Sequence, residues 1–571
     1  MSEYVQSQFE GGMNLLSCDT DVQPNQYRLG LNVRNRYGNL EGVLQSQLDP
    51  ATPNGVKQEC VTFGNYIILF VNGFAYYRYF TATGWTNIVG FQMSSDAPRF
   101  WTKAVPLSTT NYGRFAMSAT DPAVTPSANA GIIQSSVAGA FAGNTPGLLV
   151  QDNINQPQFI FLNAFGVPTV RTTQTYDQWN VTYVAGEITV DNREYVPIGN
   201  VMEWVDGVLY IASQDGEFIY RSVSGRPLDF VINVDLNGAK GGDATTTSYS
   251  VGVGGITCLR AMANNALLVT ASNAVFSVSK NTTPGAITTF GEYTFIRTFL
   301  FNATCLSDRA IIDSLGDTKF ISLTGVRSFN AVFQQQNEGR NSLFSRSLQS
   351  VVANITQSPA SSAAMLYDNF ELYGINTTLG PVIAVFDTLS NSWVSFDINQ
   401  VGGKLIKMFA KIELTIQRLY AITEDDKLYT LYIGPDLDDC LVRTRSMCAN
   451  NVTASGNPLN PEFELKLKDA RVVFDGVTEA ETCSIIPFVN NRVAQAQSKA
   501  IPYSSPTTSY SGLGALPDTN TKLFNAYFSF PNTEQGWKVY ALIAWSGTAT
   551  ITQFSFSFVD ISPINPLQSQ S

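Results

Sequence analysis

The stretch that decides the fold is Val196–Val234, VPIGNVMEWVDGVLYIASQDGEFIYRSVSGRPLDFVINV. Asp-Gly between two apolar runs favours a two-residue hairpin, because both central residues of that turn need a positive φ. A small antiparallel sheet is not stable alone, so we expect the unit to recur along the chain. The predicted strands are Met202–Val205, Val208–Ala212 and Glu217–Val223, with turns at Asp206-Gly207 and Gln214-Asp215-Gly216.

Short strands and tight turns do recur, with interior turns near 206, 265, 316, 369 and 425. A period of about 50 to 60 residues is the length of a four-stranded blade. The sequence therefore predicts an all-β fold, a β-propeller of about six blades interrupted by insertions, because radial repetition protects the edges of each blade. The candidate blades are 58–89, 196–234, 255–280, 308–329, 363–397 and 404–432.

The chain divides into three predicted parts. Residues 1–50 form an N-terminal arm with one hairpin, Leu31–Val33 and Leu40–Val43, turning at Gly38-Asn39. Residues 51–435 form the propeller body, with an insertion near 104–150 that is rich in Ser, Ala, Gly and Pro. Residues 436–571 alternate apolar and polar side chains and predict a β-sandwich.

Two finer expectations concern single segments. The aromatic run from Phe74 to Phe80 suits a strand that is buried on both faces. Residues 341–355 carry the best helical spacing of apolar side chains in the chain.

Charged residues make up only 14% of the chain, against roughly a quarter in an average soluble protein. Charge is depleted in interface cores, so this composition suits a subunit covered by its neighbours, although a neutral polar surface would give the same numbers. The net charge is −11. A tight nucleic-acid clamp needs clustered Lys and Arg. The nearest candidates, Arg34 with Arg36 and Arg443 with Arg445, are typical of solvated edge positions.

The chain has no histidine. This excludes Ser-His-Asp and Cys-His triads and histidine-bearing zinc sites, whereas chemistry on a pair of carboxylates stays possible. The acidic runs 424–426 and 436–439 lack the glycine and distal glutamate of an EF-hand. We predict no catalytic, cofactor-binding or metal-binding residues and no cofactor.

The seven cysteines contain no CxxC pair, and we expect free buried thiols. The N-terminus has no signal-peptide pattern, and the longest apolar run, Tyr66–Val71, is too short to span a bilayer. We therefore expect synthesis in a reducing cytoplasm and no membrane insertion. The cysteines are Cys18, Cys60, Cys258, Cys305, Cys440, Cys448 and Cys483.

Several segments stand in a definite order. They are FEGGMN, PNQY and LNVRNRYGNLEG, then GLLVQDNINQPQFIF, EYVPIGNVMEWVDGVLYIAS, RSVSGRPLDFV and DSLGDTKFISLTGVRSF, and finally TRSMC and ELKLKDARVVF. In this order they resemble the tail nozzle, or tail tubular, proteins of short-tailed bacteriophages, a group that includes the packaged-DNA stabilisation proteins. The resemblance spans most of the chain and is weakest at 104–150 and 497–520.

The resemblance implies a structural virion protein without catalysis, made in the host bacterial cytoplasm. It would form a homohexamer, a ring or tube at the distal phage tail that conducts and retains genomic DNA without sequence-specific binding. Its partners would be a tail adaptor ring protein and tail fibre proteins. The resemblance also suggests a candidate interface motif at Gly11, Gly12, Asn32, Arg34 and Arg36.

Two other functions remain open at this point. The first is a β-propeller tail protein that binds or degrades host glycan. The second is a cytosolic propeller scaffold, which should stay monomeric and occur without virus.

Overall fold

The structure is a computed structural model in which nearly all regular elements are strands. The described residues are 2–15, 22–79, 82–106, 146–163, 165–172, 196–222, 246–248, 255–262, 265–272, 274–280, 295–303, 305–330, 343–348, 363–378, 380–413, 416–434, 440–449, 452–454, 457–458, 464–475, 481–501, 524–533, 535–546 and 549–561.

The opening stretch forms three strands of a four-stranded sheet, followed by Thr246–Ser248. Asp206 and Gly207 have φ values of 48° and 80°, as the predicted turn requires. The other three strands are Gly199–Val205, Val208–Ser213 and Phe218–Arg221. The end of the quoted stretch, 223–234, lies outside the described residues.

The chain folds as a β-propeller, which confirms the predicted all-β class. Six four-stranded blades follow in chain order, and a three-stranded sheet, which we call the short sheet, lies between blades 4 and 5. Blade 3 is the sheet just described, and the short sheet consists of Ile311–Ser314, Asp317–Ser322 and Gly325–Ser328. The remaining strands are Lys57–Phe63, Tyr66–Val71, Phe74–Tyr79 and Thr86–Asn87 in blade 1; Trp101–Pro106, Pro146–Gln151, Gln158–Leu162 and Pro168–Thr172 in blade 2; Ile256–Ala261, Leu267–Ala271, Ala274–Lys280 and Phe295–Phe301 in blade 4; Ala363–Tyr367, Phe370–Thr377, Gly380–Asp387 and Ser392–Asp397 in blade 5; and Leu405–Glu413, Ile416–Thr423, Leu428–Leu431 and Gln47–Leu48 in blade 6.

Apolar side chains between neighbouring blades hold the ring together. Separate buried clusters lie between blades 1 and 2, 3 and 4, 5 and 6, and 6 and 1. The last strand of blade 6 comes from the N-terminal arm, where Leu48 pairs with Tyr429. Because blade 1 begins soon after this strand, the arm closes the ring.

Blade 2 was not among the candidate blades. Its first two strands pair at the two ends of the predicted insertion, with Pro106 opposite Pro146. Residues 107–145, most of that insertion, lie outside the described residues. The first strand of the blade is therefore separated in the sequence from the other three, so the regular spacing of strands and turns that identifies a blade is interrupted.

The C-terminal residues form the predicted β-sandwich, to which the arm adds strands. Ser2–Gln6 pairs with Thr550–Ile561 in one sheet, and Leu29–Leu31 pairs with Cys440–Arg443 in the other. Further strands of the two domains are Gly12–Met13, Gln26–Tyr27, Val33–Arg36, Asn39–Gly42, Thr453–Ala454, Asn457–Pro458, Glu464–Asp475, Glu481–Val489, Arg492–Val493, Gln497–Ile501, Phe524–Ser529, Gln535–Gly536 and Val539–Trp545.

The hairpin of the arm is shifted from its predicted position. Its turn is Tyr37-Gly38, with φ values of 52° and 82°, so the paired strands are Val33–Arg36 and Asn39–Gly42. The shift follows from the need for two positive φ values, which Gly38 satisfies best as the second turn residue.

The prediction for the aromatic run was wrong, and the prediction of a helix at 341–355 is tested only in part. Phe74–Tyr79 is not buried on both faces, since Ala75 is its only buried side chain and Phe74 is 41% exposed. Within the predicted helix 341–355 the described part, 343–348, contains a short 3-10 helix at Arg346–Leu348.

Candidate functional site

Ion pairs join the innermost strands of neighbouring blades. Lys103 of blade 2 pairs with Glu203 of blade 3, and Lys407 of blade 6 pairs with Glu59 of blade 1. Arg260 of blade 4 pairs with Asp313 of the short sheet, at 2.6 Å between Nη2 and Oδ2. These pairs encircle the propeller axis, which the first strand of each blade faces.

The short sheet reaches across this ring. Arg309, just before its first strand, donates from Nη2 to Glu59 Oε2 of blade 1 at 2.7 Å. The preceding residue, Asp308, accepts two hydrogen bonds from Arg99 Nη2, at 2.7 and 2.9 Å, just before the first strand of blade 2. Blades 1 and 2 lie opposite the short sheet in the ring, so these four side chains occupy the propeller centre. We call them, with Lys407, the axial cluster.

The central pair of the axial cluster is buried. The side chains of Glu59 and Arg309 are 2% and 3% exposed. Burial alone would raise the pKa of Glu59, but the charges of Arg309, Lys407 and Arg99 outweigh it and lower the pKa to about 2. Burial, together with Arg309, lowers the pKa of Arg99. Glu59 is therefore a fully paired carboxylate at neutral pH, and it cannot deliver a proton as a general acid.

The candidate interface motif lies largely against blade 5 of the same chain. Gly12 has a φ of 64°, and a Cβ there would collide with the carbonyl oxygen of Trp393. Asn32 has a φ of 55° and accepts a hydrogen bond from Ile398 N at 2.9 Å. These two positions let the arm approach the last strand of blade 5 closely.

Arg34 joins the arm to Asp397, at the end of the last strand of blade 5. It donates two hydrogen bonds to Asp397, at 2.9 and 2.6 Å, and Tyr432 donates a third at 2.6 Å. The guanidinium carbon also lies 4.9 Å from the centre of the Tyr432 ring. A bidentate, buried pair of this kind fixes the arm to the propeller.

The other two motif residues, Gly11 and Arg36, lie near this contact between the arm and blade 5. Gly11 N donates to Asn25 O at 3.1 Å within the arm. Arg36 has a side chain that is 55% exposed, and it pairs with Glu41 at 3.0 Å. A role of the motif between copies of the chain stays a prediction.

The expectation of solvated arginine pairs was wrong for two of the four residues. Arg34 is 7% exposed and Arg445 is 5% exposed. Arg445 lies 5.9 Å from the Tyr4 ring, and Arg443 lies 4.2 Å from the Tyr540 ring. Their partners come from segments distant in sequence, which a local pattern cannot reveal.

Two surface grooves are open to ligands or partners. The first, the arm groove, has a volume of about 420 Å³ and is lined by Glu10, Tyr37, Asp368, Phe370 and Leu389, among others. The second, the sandwich groove, has a volume of about 360 Å³ and crosses the outer face of one sandwich sheet. Its lining includes Glu3, Asp469, Arg471, Tyr527 and Ser555.

The described residues offer no cluster of three or more metal-ligating side chains. The acidic run at 424–426 is partly neutralised, because Glu424 pairs with Lys404 and Asp425 with Lys427. The second run, 436–439, lies outside the described residues. The six cysteines within the described ranges are free thiols, and five of them are buried. No helix among the described residues is long and apolar enough to cross a membrane.

The comparisons with known proteins add little beyond the fold. No protein-family model matches the chain, and no curated protein matches it. Among solved structures, virginiamycin B lyase from Staphylococcus aureus is similar at 11% identity and a TM-score of 0.33, covering 68% of this chain and 99% of the lyase. The exo-beta-1,3-galactanase from Phanerochaete chrysosporium is similar at 8% identity and a TM-score of 0.20, covering 62% and 95%. Values this low carry no functional information.

Sequence reasoning missed the axial cluster. Glu59 lies in QECVTF and Lys407 in LIKMFA, and both are single charges inside apolar strands. A lone charge in such a run signals a buried pair, because an unpaired buried charge is costly. The sequence carried that signal, but it did not identify the partners.

Proposed function

We propose that the chain is a structural subunit of a short-tailed phage tail. Several copies form a ring or tube at the distal tail that conducts and retains the packaged DNA and docks adaptor and fibre proteins. The ordered set of segments from FEGGMN to ELKLKDARVVF is the observation that carries this proposal. The protein acts through its surfaces, without catalysis.

The filled propeller centre supports a lumen between copies. Arg309 and Asp308 bridge the short sheet to blades 1 and 2. A DNA duplex, whose major groove alone is about 12 Å wide, cannot pass a centre closed by these ion pairs. A DNA path would therefore run between subunits, and the net charge of −11 on each chain disfavours tight binding of DNA.

The test is retention of DNA in assembled particles. Heads assembled without this chain should lose their DNA to added nuclease, and adding the purified chain should restore protection. A phage that assembles with full DNA retention and ejection in the absence of the chain would contradict the proposal.

The alternative is a glycan-binding or glycan-degrading tail protein, and the sandwich groove is the observation that favours it. Tyr527 is 56% exposed, and the Arg471 guanidinium lies 5.6 Å from the centre of its ring. The groove also contains the carboxylates of Glu3 and Asp469. An aromatic face beside charged hydrogen-bonding groups suits a sugar ring.

This alternative has its own test. Host surface polysaccharide is titrated against the protein and against Tyr527→Ala, with Tyr79→Ala, an exposed tyrosine outside both grooves, as the control. Binding or sugar release that only Tyr527→Ala removes would support the alternative. If the protein binds no host polysaccharide, the alternative is contradicted and the structural role remains the proposal.

A further inference from the structure

The arm groove has an acidic and apolar rim. Tyr37 is 97% exposed and Leu389 is 73% exposed. The carboxylates of Glu10 and Asp368 stand beside them on exposed residues, and Arg36 of the same lining is paired with Glu41. Tyr37 occupies a tight turn with a φ of 52°. We call Glu10, Tyr37, Asp368 and Leu389 the acidic patch.

A second patch of opposite charge lies on the sandwich. Val493 is 64% exposed and Trp537 is 50% exposed. Arg492 and Val493 form an exposed strand that pairs with one side of Glu481–Val489, and Trp537 and the half-buried Lys538 directly precede Val539–Trp545, which pairs with its other side. We call Arg492, Val493, Trp537 and Lys538 the basic patch.

The basic patch is held in place by its own hydrogen bonds and stacking. Asn490 Oδ1 accepts from Trp537 N at 3.1 Å and from Lys538 N at 3.3 Å. Beneath it, Phe488 and Tyr540 stack with ring centres 4.7 Å apart. Such a preformed surface loses little conformational entropy on binding.

One hydrogen-bonded sheet connects the two patches. From the last strand of blade 5 the order is Ser392–Asp397, Leu29–Leu31, Cys440–Arg443, Val539–Trp545, Glu481–Val489 and Arg492–Val493. Three to five strand spacings, about 14–24 Å, separate the patches laterally. They therefore lie at different places along one continuous sheet.

Both patches also lie at the same end of the strands in that sheet. The turn at 388–391 leads into Ser392–Asp397, and the pairing directions put the turn at 490–491 at that same end. A closed ring requires a contact between two different patches of the same chain.

We propose that the basic patch of one copy docks on the acidic patch of the next copy. The contact is heterologous, so it propagates around a ring rather than closing a two-fold dimer. Trp537 supplies a large apolar anchor for the arm groove, and the opposite charges set orientation and register. This inference rests on the proposed ring-forming function and names the surfaces that build the ring.

The experiment uses charge reversal on the full chain. One variant carries Glu10→Lys and Asp368→Lys, and the other carries Arg492→Glu and Lys538→Glu. Light scattering after size-exclusion chromatography measures the mass of each. We expect both variants to shift from a ring of about six copies to a single chain of 62.3 kDa.

A one-to-one mixture of the two variants should reassemble. The unaltered basic patch of the first variant fits the unaltered acidic patch of the second, and the two reversed patches fit each other. Reassembly also shows that both variants are folded. The matched control reverses an exposed pair elsewhere, Lys404→Glu with Glu424→Lys, and it should still form rings.

The outcomes separate this inference from the proposed function. Rings of the wild-type chain that persist in both charge-reversal variants would overturn the docking inference and leave the ring function standing. A wild-type chain that stays monomeric at all concentrations would overturn the proposed function, and this inference with it.

Discussion

Arg309 of the short sheet donates a hydrogen bond to Glu59 of blade 1 across the centre of the propeller, with 2.7 Å between Nη2 and Oε2. This contact joins residues 250 positions apart in the sequence. Because it fills the propeller axis with paired charge, the outer surfaces of the chain are left to carry the proposed function.

Glu59→Gln should destabilise the propeller strongly. The substitution leaves Arg309 and Lys407 without their buried carboxylate, and breaking a buried pair costs about 3–5 kcal/mol. Chemical denaturation measures the loss. Glu424→Gln, which breaks an exposed pair with Lys404, should change the free energy of unfolding by less than about 0.5 kcal/mol. Equal effects of the two substitutions would contradict a special role for the axial cluster.

Acid should remove the contribution of Glu59 over a defined pH window. The pKa of Glu59 falls from its ordinary 4.5 to about 2 in the folded chain. Because the pKa is lower in the folded chain than in the unfolded chain, ionised Glu59 stabilises the folded state at pH values above 4.5. This stabilisation is lost as the pH falls from 4.5 to about 2. The expected loss is about 3 kcal/mol. The difference in stability between wild type and Glu59→Gln, measured from about pH 6 downward, should shrink in that window; a constant difference would refute this.

Arg34→Ala should loosen the N-terminal arm from blade 5. It removes both hydrogen bonds to Asp397 and leaves that carboxylate buried with Tyr432. Lowering the opening free energy by about 1.4 kcal/mol raises cleavage of the arm about tenfold. Limited proteolysis measures the rate. Arg36→Ala changes a nearby, half-exposed arginine and should leave the cleavage rate unchanged. Identical rates for both variants would contradict the role of the Arg34–Asp397 pair in holding the arm.

Gly207→Ala should weaken blade 3. Gly207 has a φ of 80°, which an alanine adopts at a cost of about 1 kcal/mol. Gly84→Ala is the matched control, because nothing lies within 4 Å of a Cβ there. Thermal unfolding should show a lower midpoint for Gly207→Ala only. A fall in both midpoints would point to a general effect of removing glycine.

The sequence predicted the parts of the fold that depend on neighbouring residues. The Asp206-Gly207 turn and its flanking strands follow from local rules, and the structure confirms them. Blade 2 was missed because 39 residues separate Pro106 from Pro146. The arm's role in closing blade 6 was also missed, since Leu48 pairs with Tyr429 at the far end of the propeller.

The candidate site was less predictable than the fold. Arg34 belongs to the predicted motif, but its partner Asp397 is 363 positions away, so burial could not be read from LNVRNR. Glu59 and Arg309 meet only because the ring closes around them. Side-chain pairs formed by ring closure depend on the three-dimensional arrangement, which local periodicity does not encode.

The most direct test of the proposed function is electron microscopy of the purified chain, with averaged images of single particles. A ring-forming tail subunit should appear as closed rings of about six copies around a lumen wide enough for a DNA duplex. Isolated propellers at every concentration, with no ring in any class of image, would contradict the proposed function.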